Sequence, residues 1–96
     1  MINEQQLMLE LNTQTAKIAW NELLRFFASG KTLWVKPHMD LIQVAAEVIQ
    51  DNQPQIQQWM EQQDIQEVSD QQAKQWLDKE VWAVVCKPWV LVKPLS

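Results

Sequence analysis

Ninety-six residues, 1–96, make a single small domain with one modest core. Apolar residues at 47% against 21% charged exclude a disordered chain, and no run approaches the ~18 apolar residues of a membrane span. A formal net charge of −4 argues against nucleic acid, whose phosphates demand a basic face, and against an anionic membrane surface.

Residues 1–6 have neither the basic start nor the apolar run of a signal peptide. The lone Cys86 has no internal disulfide partner, so a cytoplasmic protein is expected. Leu7, Met8, Leu11 and Ile18 fall near one side of a helical wheel, behind Glu4, Gln5 and Gln6. They predict a first amphipathic helix with a break near residues 12–15. Trp20, Leu23, Leu24 and Phe27, at i, i+3, i+4 and i+7, predict a second helix. Gly30 stands just past its end, where a left-handed residue closes a helix at least cost. Residues 31–36 then read as a short strand stopped by Pro37.

Asp40, with Gln43 three positions on, forms a capping-box pattern for a third helix. This helix carries Leu41, Val44, Ala45 and Val48 on one face and Ile42, Ala46 and Ile49 beside them. So broad an apolar surface predicts a central helix packed on a sheet and covered on more than one side. Pro54 suits the first turn of the next helix, whose stripe is Ile56, Trp59 and Met60. Residues 65–68 offer a brief strand. Ser69 and Gln72 form a second capping box, with Ala73, Trp76 and Leu77 as the buried face behind it. The many glutamines between Gln53 and Gln75 are interrupted by apolar residues at helical spacing, so they read as solvated helix faces.

The last stretch, from Val81 to Pro94, is the longest apolar run and the richest in β-branched and aromatic residues. It predicts two strands bent apart at Lys87 and Pro88, with Pro88 and Trp89 central to a type I turn. A two-residue hairpin is disfavoured because primed turns call for Gly or Asn. Lys36-Pro37, Lys87-Pro88 and Lys93-Pro94 each end an apolar run, which suits strand termini and guarded sheet edges. The expected architecture is α+β: four to five short helices packed on a small, mainly antiparallel sheet of three to four strands.

Three blocks carry a resemblance. They are residues 15–27 (TAKIAWNELLRFF), residues 40–45 (DLIQVA), and the WAVV at 82–85 followed by PWVLV at 88–92. In order and spacing the chain resembles a family of short bacterial proteins known as domain of unknown function 2288, over roughly residues 11–92. The resemblance implies a bacterial, single-domain cytoplasmic protein. It implies no catalytic or binding residue, since the family carries none to transfer.

The chemistry available is sparse. One His and one Cys fall short of the four ligands of a structural zinc site, and a chain whose only glycine is Gly30 has no phosphate loop. No cofactor or metal is expected. His38 and Asp40 could serve as base and orienting carboxylate with Cys86 as nucleophile, in a small-molecule-binding protein or small enzyme using a cleft near the three. The simpler reading makes Asp40 a cap, His38 a solvated loop residue and Cys86 a small buried hydrophobe. Asp78 with Glu80, and Glu61 with Asp64, read as charged surface. Lys31, Lys36, Lys87 and Lys93 flank strands, but the acidic total weighs against a nucleic-acid face.

Six tryptophans are many for so small a core, and indoles are enriched where proteins meet. The simpler reading is that they fill the core; the sharper one puts one or two on a face that meets a partner, with Trp34, Trp82 and Trp89, in the strand-like runs, as the candidate interaction surface. The function expected is a non-enzymatic interaction or regulatory module, its partner a second copy (a homodimer) or another protein.

Overall fold

The computed structural model describes residues 5–7, 9, 15–86 and 88–95. Glu4, Met8, Leu11, Lys87 and most of the expected break at residues 12–15, used in the reading above, lie outside these. Residues 5–7 and 9 are helical. Strand β1 is Ala16–Ala19, followed by a 3-10 turn over Trp20–Leu23 and helix α1, Leu24–Ala28. Strand β2 is Thr32–Val35, α2 is Leu41–Ile49, α3 is Gln53–Glu61, β3 is Ile65–Glu67 and α4 is Asp70–Gln75. Strands β4, Glu80–Cys86, and β5, Trp89–Pro94, complete the domain.

The sheet has five strands in the order β1-β4-β5-β2-β3, rather than three or four. It is mixed: β5 pairs parallel with β2, and the other three junctions are antiparallel. The strand absent from the sequence reading is β1. Ala16–Ala19 fits a helical wheel, but its backbone pairs with Trp82 and its neighbours instead. An open β4 edge outweighs the mild local preference of Ala and Lys for helix. The β4–β5 connection also departs from expectation. Cys86 already faces Trp89 across the ladder, so only two residues link the strands and Trp89 lies outside the turn.

Helices cover both faces, so the sheet is the middle layer of three. On one face α2 and α3 pack over Leu33, Val35, Ile65, Val84, Cys86 and Leu91. On the other, Trp20, Leu23, Ala73 and Trp76 pack over Val81, Ala83, Val90 and Val92. This explains the unbroken apolar run Val90-Leu91-Val92: alternate side chains enter different cores, and all three are buried.

Local signals place the helices well. The Asp40 carboxylate accepts from the Ile42 and Gln43 N–H groups at 3.0 and 3.4 Å, the backbone half of the expected box. Ser69 and Gln72 make both halves of theirs. Four apolar residues miss their assigned burial, and two of them, Ile49 and Met60, fall in the last turns of α2 and α3. Leu24 is exposed because the tighter winding of the 3-10 turn rotates it off the wheel. Leu77 is exposed because α4 stops at Gln75, with Trp76 as its C-cap.

Helix α1 ends in a Schellman motif: Gly30 N–H donates to Phe27 C=O and Lys31 N–H to Phe26 C=O, with Gly30 at φ 71°. Helices α2 and α3 end the same way without glycine, on Asp51 at φ 56° and Gln63 at φ 63°. Left-handed backbone costs a residue with a Cβ roughly 1 kcal/mol, and glutamine lacks the local compensation open to aspartate. Gln63→Gly is therefore expected to stabilise the fold by about 0.5–1 kcal/mol. Urea unfolding would read the gain, and an unchanged or lower midpoint contradicts the strain.

Candidate interaction surface

The three residues of the proposed cleft do not converge. His38 and Asp40 follow the exit of β2, where His38 Nε2 lies 3.3 Å from the half-buried Asp64 carboxylate. Cys86 ends β4 opposite Trp89, and β5 runs parallel to β2 from there. The thiol thus sits beside the start of β2, at the other end of the sheet from the imidazole. The strand pattern that buries Val84 also buries Cys86, and the cap that starts α2 consumes Asp40. Among the described residues no three His, Cys, Asp or Glu side chains gather to hold a metal.

Cys86 is 2% exposed, and its thiol donates to Ala45 C=O at 3.9 Å. Burial pushes the thiol from the ordinary 9.0 up to about 11, so at neutral pH it is no nucleophile. Its folded value exceeds the unfolded one. Its contribution is thus full below pH 9 and is lost as pH rises from 9 through 11, by about 2–3 kcal/mol at most. The stability gap between wild type and Cys86→Ala should accordingly narrow between about pH 8 and about pH 10.5. A gap independent of pH would contradict this account.

The tryptophans separate by face and by end. Trp34 packs against the Trp20 cluster, whereas Trp89 packs against the α2 face. Trp82 shares a face with Trp89 but lies at the far end of the β4–β5 ladder, opposite Lys93. At 36% exposure it is the most open of the six. Lys31 Nζ stands 5.4 Å from the Trp89 ring centre, and Lys17 Nζ 5.3 Å from that of Trp82.

Trp82 therefore sits in a row. Lys17 on β1 faces it from one side and Lys93 on β5 from the other, all pointing to the α2 face of the sheet. The indole lines an open groove of about 510 Å³ with Leu41, Ile42, Pro37 and Pro94. Lys93 Nζ donates to Met39 C=O at 2.6 Å, pinning the loop before α2 to β5.

Beside this row runs the outer edge of β1. Trp20 N–H donates to Lys79 C=O at 2.9 Å, continuing the β1–β4 register. In an antiparallel ladder alternate residues turn to the same side, so Ile18 and Ala16 share that direction. The N–H and C=O groups of Lys17 and Ala19 point away from β4. Sequence reasoning missed Lys17 because it placed residues 16–19 in a helix. The clue available was the row of small and β-branched residues Ala16, Ile18 and Ala19 around one lysine.

The family described as "Protein of unknown function (DUF2288)" matches residues 6–94. The chain belongs to this family. This DUF2288 chain is also similar to PA1075 from Pseudomonas aeruginosa, whose NMR solution structure superimposes with a TM-score of 0.83 at 34% identity. The match covers 100% of the DUF2288 chain and 93% of PA1075. No curated protein matches it. Among its described residues no helix is long and apolar enough to cross a membrane.

Proposed function

We propose that this protein is a non-enzymatic interaction module of the cytoplasm, binding a protein partner at the β1 edge and the Trp82 row. The observation that carries the reading is Trp82 itself. It is a large indole, 36% exposed, on a strand whose buried neighbours Val81 and Ala83 fix its backbone. A rigid aromatic flanked by Lys17 and Lys93, beside backbone groups that point away from β4, combines the anchor and the hydrogen-bonding edge that peptide recognition uses. The protonated, buried Cys86 and the distant His38 weigh against covalent chemistry. The net charge of −4 weighs against nucleic acid as the partner.

Photo-crosslinking in cells tests this. A photoreactive residue at position 17 or 82 should give a protein adduct of discrete mass, and one at the exposed Gln57 on α3 should not. Equal yields at all three positions, or no adduct at 17 and 82, would reject the reading.

A further inference from the structure

Resting on that reading, we infer that the partner at the β1 edge is a second copy of this chain, joined by antiparallel β1–β1 pairing about a twofold axis at Ile18. The outward groups belong to Lys17 and Ala19, so the register that uses both places Lys17 of each copy opposite Ala19 of the other. Ile18 then faces Ile18 of the second copy on the Trp20 side of the sheet, and these half-buried side chains cover one another.

The charges select the same register. On the α2 face Ala19 is flanked by its own β4 neighbour Glu80. Across the twofold, the row therefore runs Lys93, Trp82, Lys17, then Ala19 and Glu80 of the second copy. Ala19 is too small to intervene. Lys17 and the opposing Glu80 are two strand spacings apart, about 10 Å between α-carbons, within the joint reach of extended Lys and Glu side chains. The pair occurs twice by symmetry. The shifted register that stacks Lys17 on Lys17 would oppose like charges instead.

The other edge is unsuited to the same role. Strand β3 has three residues, and its outward backbone groups belong to Ile65 and Glu67; across a twofold at Gln66 the row would run from Glu67 to Ile65 and Val35 of the second copy, with no cation two strand spacings away. Pairing through β1 alone closes after two chains and yields a dimer, not a filament.

Sedimentation across a concentration series is the test, with three variants. Ala19 has φ −64° and ψ 130°, values a proline adopts without strain, and its N–H is not used by β4. Ala19→Pro should therefore keep the native circular dichroism and sediment as a monomer. Lys17→Glu and Glu80→Lys should each weaken dimerisation by about tenfold or more, and the double charge swap should restore it. A wild type that stays monomeric, a dimer indifferent to Ala19→Pro, or a double swap without rescue would overturn the inference. Adducts from positions 17 and 82 to a different protein, with a monomeric wild type, would reject self-pairing while leaving the interaction reading intact.

Discussion

Trp20→Ala is expected to cost about 3–5 kcal/mol, the largest loss of any single truncation in this fold. Trp20 is 0% exposed and stands edge-on to Trp76 at 5.1 Å and to Phe27 at 5.7 Å between ring centres. It joins the 3-10 turn, α1 and α4 to the sheet, so its removal opens a cavity walled by three elements that cannot all close on it. Its Nε1 has no acceptor in the described structure. That unpaired donor already costs stability, so Trp20→Phe should lose clearly less than Trp20→Ala. Against a total of roughly 5–15 kcal/mol for a small domain, the alanine variant is close to unfolded at body temperature. Urea titration followed by the remaining indoles would measure it, and a loss below about 1 kcal/mol would show that this cluster is not a core.

Leu91→Ala should follow, losing about 2–5 kcal/mol. Leu91 is fully buried on the central strand, opposite Val84 on one side and Leu33 on the other. All three point into the core beneath α2. The backbone there is held by ladders on both flanks, so the void can only be filled by α2 sinking toward the sheet. Ile49 provides the contrast. It is an aliphatic side chain of the same size but 46% exposed at the end of α2, so its truncation should cost under about 1 kcal/mol. Equal losses at the two sites would contradict this ordering of burial.

Much of this was visible in the chain. Val81 to Val92 has the composition of buried strands, and Val84 and Leu91 lie where that pattern puts them. Gly30, Asp40, Pro54 and Ser69 mark helix ends by chemistry that acts within a few residues, which is why a sequence reveals it. What escaped depends on partners far along the chain. Residues 16–19 became a strand because β4, more than sixty residues later, offers an edge. The parallel union of β2 with β5 leaves no local trace, since the period of a strand is the same whichever way its neighbour runs. The candidate site divides the same way. Asp40 as a cap was legible, whereas the approach of Asp64 to His38 follows from the β2–β3 ladder and not from spacing. The outward backbone of Lys17 could be read only once β1 was known to be a strand.

The strand order carries one further consequence, for how the molecule comes into being. The last strand along the chain, β5, is the third in the sheet. During synthesis β1, β2 and β3 emerge while the centre they flank is still missing. Only the short β2–β3 pair can form early; β1 has no neighbour until β4 is out, and β2 lacks its second until β5 is. Assembly is then a late insertion between waiting flanks, so nascent chains should remain protease-sensitive until the final strand is free.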